Sequence, residues 1–513
     1  MKCPSKTFLH RGKKYLTGYQ VGSRPPAWLT AVIKRRMELL VEALTGQKHV
    51  DAELKMWRTF QTLLKKMQVI YDLQLSEWVT VNFRHKVPTE YAHDFIQSVI
   101  RDVNNSNRVQ DRLERIQPCG SELTYEIKFA GDKAQCSALR FCNTITKPSI
   151  VGSQISYAEV QFRGIVFRYR VRRGSSVTSF KSRLLEWIRK IINTGNRLFK
   201  IFCPKAVQVI IDPSFDIISP DHVTEKAKIA IIDEAFGEEV LPNRVVNTYS
   251  FTADHIITDQ LLNRGGRHGL DCLLVAMSAA PGHPLVAYQA IDKGYFKEDF
   301  MLFQSLIAKS IYHAAVSEPD VAVICCSLGD QSMINFPLSR FLEDAIAFAA
   351  NNGRGDKGIP IVWAASYTHQ SKERQVATDE LRRHPAIISV GAVDKKDKIA
   401  LTGPSLYLDL LAPGYSEATR GASGTSLAAP HVAALIARML AANSELSRLQ
   451  IHAILRTTAI KRIGVQTDHM GFHQSCGYGN LNPEAALKED PDSPRVKAMI
   501  ERLLLEEEAY SQR

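Results

Sequence analysis

At 513 residues, 45% hydrophobic and 23% charged, the chain has the balance of a globular protein and the length of about three domains, or of one large domain with an extension. No apolar run approaches the roughly 20 residues of a membrane span, the basic start lacks the apolar core of a signal peptide, and nine thinly spread cysteines do not make a disulfide framework; the expectation is a cytoplasmic protein with reduced thiols and no membrane contact. The net charge of +12 divides unevenly, with 36 Lys and Arg against 18 Asp and Glu in residues 1–220 and 29 against 35 in residues 221–513, which marks a boundary near residue 220 between parts that meet different partners or each other.

Residues 26–75 carry apolar side chains at helical spacing among Lys and Arg (Trp28, Leu29, Val32, Ile33, Met37, Leu40 and Val41), and Tyr91–Val103 continue in that style. Between residues 122 and 173 the period falls to two. Leu123–Phe129, Tyr157–Phe162 and Ile165–Val171 alternate and predict strands. Ser179–Phe199 returns to an amphipathic basic helix. Residues 1–220 are therefore expected to form a basic domain, mixed α/β or mostly helical, with a regulatory or partner-binding role. Within it Arg163, Arg168, Arg170, Arg172 and Arg173, beside Phe167 and Tyr169, suit a nucleic acid or an acidic partner. The same cluster also fits a solvated strand face, and no recognised nucleic-acid motif accompanies it.

From residue 221 strands and helices alternate, the pattern of a parallel sheet wrapped by helices. Ala227–Ile232, Leu285–Ile291, Val321–Cys326, Ile359–Ala365, Ala386–Val393 and Asp409–Leu411 read as strands. Helices are expected around Phe300–Ala315 and Leu338–Ala350, and Leu270–Ala280 is an apolar segment. Asp233 follows the first strand, and in open α/β sheets the working residues gather at the carboxyl ends of strands. Further on, Thr425-Ser426 opens a segment that is apolar on every side to Leu440, as befits a helix in the middle of a domain. Ser426 then sits at a helix N-terminus, where the dipole and unpaired N–H groups favour a developing anion.

Gly424-Thr-Ser-Leu-Ala-Ala-Pro-His-Val-Ala433 resembles the serine motif of the subtilisin-like serine proteases, the subtilases. Ile231-Ile-Asp233-Glu-Ala-Phe-Gly237 resembles the aspartate motif, with Ala235 where the family usually has Gly. Arg267-His268-Gly-Leu-Asp-Cys272 resembles the histidine motif, with Leu270 and Asp271 in place of its last two residues. The order Asp, His, Ser, at separations of 35 and 158 residues, is the order of that family. The resemblance spans about residues 226–487 and implies a subtilisin-like parallel sheet with helices on both faces over 221–490. It also implies an Asp233–His268–Ser426 triad: Ser426 attacks a peptide carbonyl, His268 moves the proton, and Asp233 holds the imidazole. By the same resemblance Ser327, Leu328 and Gly329 line one side of the substrate cleft and Ala364, Ala365 and Ser366 the other. An intracellular serine endopeptidase acting on peptide or protein substrates is the function implied.

One departure bears on the chemistry. Tyr367 stands where the family has an Asn that donates to the oxyanion, and loss of one such donor costs roughly 2.7–4 kcal/mol, or 10²–10³ in rate. Three outcomes stay open: Thr368 or His369 supplies the donor; activity waits on a partner that remodels the loop; or the domain binds extended peptides without cutting them. A nucleic-acid-binding regulator acting through residues 1–220 is an alternative of another class. Calcium sites are frequent in subtilases, but no ligand-rich loop stands out and no cofactor or metal is assigned. Residues 491–513 form a charged helical tail with Ile500, Leu503 and Leu504 on one face.

Overall fold

The computed structural model describes residues 7–10, 13–16 and 19–20, most of 69–169 and most of 227–511; residues 21–68, 170–226, 291–303, 329–338 and 366–383, the chain ends and some shorter loops lie outside the described residues. The helices expected within 26–68 and 179–199, and Arg170, Arg172 and Arg173, fall outside them.

Strands β1 (Thr7–His10), β2 (Lys13–Leu16) and β3 (Tyr19–Gln20) precede a β-α-β-β-α-β unit of β4 (Val69–Phe83), α1 (Thr89–Asn107), β5 (Arg112–Cys119), β6 (Ser121–Ala130), α2 (Ala134–Ile145) and β7 (Ile155–Tyr169). Its antiparallel sheet runs β5-β6-β4-β7, with β3 also paired to β4. The mixed α/β expectation holds here, with three corrections. Residues 69–75 are strand, because their apolar spacing fits either period and pairing with β7 decides it. The two strands expected across 157–171 are one, β7. Helix α2 was not anticipated: its buried stripe of Ala134, Ala138, Phe141 and Ile145 has helical spacing, but two of the four are Ala and signal weakly.

Alternation gives this sheet two buried faces of opposite character. Tyr125, Ile127 and Phe129 of β6 join Val79, Val81 and Phe83 of β4 against Ile96 and Phe141 of the two helices. The other face carries Thr124, Glu126, Trp78, Thr80 and Asn82, also buried.

The second half comprises β8 (Lys228–Asp233), β9 (Val245–Phe251), β10 (Ile257–Thr258), α3 (His268–Ala279), β11 (Leu285–Gln289), α4 (Gln304–Val316), β12 (Val321–Cys326), α5 (Arg340–Asn352), β13 (Ile361–Ala364), β14 (Ile387–Val393), β15 (Ile399–Ala400), β16 (Leu410–Pro413), α6 (Thr425–Ala442), α7 (Arg448–Thr458), α8 (Pro483–Lys488) and α9 (Pro494–Ser511). The sheet order is β10-β9-β11-β8-β12-β13-β14, with β15 and β16 both on β14. All pairings are parallel except β10 with β9 and β15 with β14. Strands buried on both faces read as continuous apolar runs, which is why Val321–Cys326 was legible. Strand β9 was not, since Asn, Thr and Ser interrupt it. Helices α3, α6, α7 and α9 share one core with Ile229 and Ile231, and α4 and α5 share the other with Ala230 and Ile232. Helices therefore cover both faces, as expected.

The tail helix α9 packs on this half by most of the stripe expected. Leu503 is buried and Ile500 packs against the core beside the buried Val496 and Met499, whereas Leu504 is 47% exposed; the spacing 496, 499, 500, 503 follows one helix face and Leu504 falls at its edge. Arg448–Glu507 at 2.6 Å, Arg456–Glu506 at 3.0 Å and Tyr510–Glu343 at 2.7 Å fasten it. Of the cysteines, Cys119, Cys142, Cys272, Cys325, Cys326 and Cys476 are thiols outside any disulfide. Cys136 is disulfide-bonded, against the expectation of reduced thiols throughout; sparse composition excludes a framework of bridges but not a single one.

The polar face of the N-terminal sheet lies on α4 and α5. Glu126 accepts from Gln117 at 3.1 Å, from Gln161 at 2.7 Å and from the Lys309 ammonium of α4. Tyr157 donates to Asp344 at 2.8 Å, and Ser305 to Gln161 at 3.0 Å. Glu159 accepts from the Arg340 and Phe341 N–H groups at the start of α5, both at 3.2 Å, where a carboxylate complements the helix dipole. Gly120 (φ +72°), at the β5–β6 turn, sits so close to Tyr312 that a Cβ would meet its ring at 2.6 Å. The charge balance of the two halves suggested a basic surface against an acidic one. At these contacts acids come from both sides, Glu126 and Glu159 from the N-terminal unit and Asp344 from α5.

Burial outweighs the two N–H donors and pushes the Glu159 carboxyl from 4.5 up to about 7. A carboxyl raised by docking favours the docked state fully below pH 4.5, and that advantage fades as the pH climbs through 7. The expected outcome is a domain contact tighter at pH 4.5 than at pH 7.5, by up to roughly 3 kcal/mol, read as hydrogen-exchange protection of β7. Glu159→Gln should flatten that dependence.

Candidate active site

Asp233 ends β8, the strand at which the sheet order turns: β11 and β9 lie to one side, β12 and β13 to the other. The crevice outside such a point is where open α/β sheets bind ligands. The Asp233 side chain is fully buried. Its Oδ1 accepts from the Glu234 N–H at 2.6 Å and from His268 Nδ1 at 2.7 Å. Oδ2 has no hydrogen-bond partner among the described residues. His268 is the first residue of α3, with its side chain 34% exposed. Donation from Nδ1 to Asp233 leaves Nε2 as the basic nitrogen of a neutral ring.

The departures from the histidine motif have local reasons. Asp271 accepts from Arg267 at 3.1 Å, pinning the residue just before the histidine. Leu270 is buried in the core. Cys272 lies one turn on from His268, on the same face of α3, and its thiol donates to the Ser426 carbonyl at 3.4 Å. That carbonyl is free for a definite reason. Its helical donor would be the N–H of residue 430, which is Pro430 and has none. A proline early in α6 and a thiol on α3 thus complement each other. They set Ser426, half-buried at the second position of α6, against the helix that bears His268.

The residues around the serine fix the start of α6. Gly424 caps it at φ 154°, ψ 175°, a conformation that only glycine adopts without strain. Thr425 donates to the Ala365 carbonyl at 2.8 Å, tying the serine to the strand end of β13. His431 donates from Nε2 to the Tyr415 carbonyl at 3.2 Å, and burial lowers its pKa, so it stays neutral and structural.

The structure therefore brings Asp233, His268 and the start of α6 at Ser426 together at the carboxyl edge of the sheet. Of the expected substrate-cleft residues, Ser327 and Leu328 follow β12 and are buried, and the Leu328 carbonyl accepts from the Trp363 indole at 2.7 Å. Ala364 and Ala365 are buried at the end of β13. Gly329, Ser366, Tyr367, Thr368 and His369 lie outside the described residues. Sequence reasoning missed Cys272 and Thr425. The first could have been found from its i+4 spacing to His268, the second from its place beside the serine.

The sequence profile of the subtilase family matches residues 224–479. A thermophilic serine proteinase of Bacillus sp. (strain AK1) is 30% identical over 257 residues, which cover 47% of this chain and 58% of that protein. The chain thus spans less than two thirds of that relative. Among solved structures, fervidolysin from Fervidobacterium pennivorans, a keratinolytic enzyme related to subtilisin, shares 15% identity at a TM-score of 0.48, over 82% of this chain and 62% of its own. The epidermin leader peptide processing serine protease of Staphylococcus aureus shares 15% at 0.46, over 81% and 99%.

Gly424→Ala tests the backbone requirement at the start of α6. It should destabilise the protein by about 1–3 kcal/mol, the cost of forcing a side chain into that conformation, seen as a lower urea midpoint with an unchanged m-value.

Proposed function

Because residues 224–479 make this chain a member of the subtilase family, we propose that it is a serine endopeptidase with Asp233, His268 and Ser426 as its triad. The observation that carries the reading is the 2.7 Å bond from His268 Nδ1 to the buried Asp233, beside a helix start held against α3 by the Cys272–Ser426 contact. In this mechanism Ser426 Oγ attacks the peptide carbonyl while His268 Nε2 takes its proton. The imidazolium so formed is stabilised by Asp233, and its proton then passes to the leaving amine. The N-terminal dipole of α6 favours the oxyanion. Tyr367 in the place of the usual Asn removes one oxyanion donor and makes the enzyme slow until its loop is remodelled.

We further propose a regulatory role for the N-terminal unit, favoured by the course of β7. Tyr157 meets Asp344 in the second turn of α5, and Glu159 meets Arg340 and Phe341 in the first. The strand therefore travels toward the helix start, which is the side of the sheet where the triad gathers.

A fluorophosphonate probe should label the intact chain at Ser426 and fail on Ser426→Ala. Asp233→Asn should lower the labelling rate by about 10⁴. Tyr367→Asn should raise it by up to roughly 10²–10³. Absence of label on a folded chain, alone and with cell extract, would leave a peptide-binding domain instead.

A further inference from the structure

We propose that Gln289 tunes the basicity of His268 through one enclosed water that donates to both Asp233 Oδ2 and Gln289 Oε1. Gln289 ends β11 and pairs in register with Asp233 at the end of β8. Alternation along the two strands settles where their side chains lie. Ile229 and Ile231 of β8 and Leu285 and Ala287 of β11 enter the core shared with α3 and α6, so Asp233 and Gln289 face that side too. Gln289 is 2% exposed and Asp233 0%. Nε2 of Gln289 donates to the Glu234 carbonyl at 3.2 Å, which brings Oε1 of the same amide beside the Asp233–Glu234 peptide. Oε1 and Asp233 Oδ2 are both buried acceptors with no hydrogen-bond partner among the described residues, and leaving either bare is costly.

The neighbouring side chains do not supply both bonds. A flip of the Gln289 amide would turn Oε1 on the Glu234 carbonyl, acceptor against acceptor. The single proton of the Cys272 thiol goes to the Ser426 carbonyl. What fits is a molecule with two hydrogens to give, and water held between polar partners is the usual occupant of such a place. A hard metal cation asks for about six oxygens, and this pair offers far fewer.

What the water does follows from charge. With His268 neutral, the Asp233–His268 pair holds one buried negative charge; with His268 protonated, it holds none in sum. A donor on Oδ2 stabilises the first state more than the second, so it keeps the imidazole free to accept a proton near neutral pH. Gln289 is a positioning residue that acts by holding that water. The tuning belongs to the pair itself, and only its bearing on rate rests on the peptidase reading.

The test follows the His268 ring by NMR across the pH range in the intact chain, with its signal assigned by loss in His268→Gln. Gln289→Met, which keeps the volume and removes the amide, should raise the titration midpoint of His268 by about one unit. The acid limb of fluorophosphonate labelling should rise with it. The other titratable groups near the pair are the same in both proteins: Glu234 after β8, Arg267, Asp271 and Cys272 at the start of α3, and Cys325 and Cys326 on β12. A crystal structure of the wild type should show one water within hydrogen-bond distance of Asp233 Oδ2 and Gln289 Oε1, and this measurement serves alone if the variant does not fold. An unmoved or lowered midpoint overturns the proposal, and a lower labelling plateau beside it would mean packing alone. So does a dry contact, a protein donor on Oδ2 or a metal ion at that place. A raised midpoint in a chain that never labels leaves the tuning standing and removes only the peptidase reading.

Discussion

A single buried carboxylate constrains the half that matches the subtilase profile. Asp233 is shut away from water at the end of a central strand, and a charge in such a place stands only with close donors. One oxygen has two of them, the Glu234 N–H and His268 Nδ1. To supply the second, α3 must begin at His268 and lie across β8. With α3 in that position, Cys272 is brought to the carbonyl that Pro430 frees, and the long, largely buried helix α6 is fixed along the same face. Glycine at position 424 and threonine at 425 then decide where that helix begins. Three segments scattered over some two hundred residues are thereby coupled through one acid.

Much of this was legible in the sequence. The parallel strands announced themselves as short apolar runs, because both their faces are covered. Ser426 stood out because its neighbours are small or apolar in a long pattern that chance seldom yields, whereas Asp233 and His268, whose motifs match the family only in part, stood out by their order and the strands around them. The contact between Cys272 and Ser426 was hidden, since it joins residues 154 apart in sequence and neither partner looks unusual alone. The N-terminal unit shows a related limit. Alternation in Leu123–Phe129 told which side chains share a face, but not that the polar face would be covered. Glu126 reads as a solvent-facing residue; burial against Lys309 comes from a neighbour nearly two hundred positions away. In the tail helix Leu504 alone of the expected face was misplaced, for the same reason: adjacent apolar residues such as Leu503 and Leu504 leave the facing choice to tertiary contact.

The two cores of the subtilase half have different duties. The α3 and α6 side holds Asp233, His268 and Ser426 and tolerates few changes of volume. The α4 and α5 side serves as a platform, and the N-terminal sheet rests on it through carboxylates, an ammonium, hydroxyls and helix N–H groups. Such contacts depend on geometry and protonation more than on area, so the strength of the union answers to conditions that leave both cores intact.

That choice of side chains has a consequence for what happens on detachment. Apart from Trp78, the sheet face that would be uncovered is Thr80, Asn82, Thr124 and Glu126, groups that water solvates readily. The opposing platform would bare Lys309, Ser305 and the start of α5, together with the apolar spot where Cys119 joins the α4–α5 core and Gly120 lies against the Tyr312 ring. The seam is thus mixed, and its polar part re-forms hydrogen bonds with water on separation, an exchange that a wholly greasy seam would have denied it.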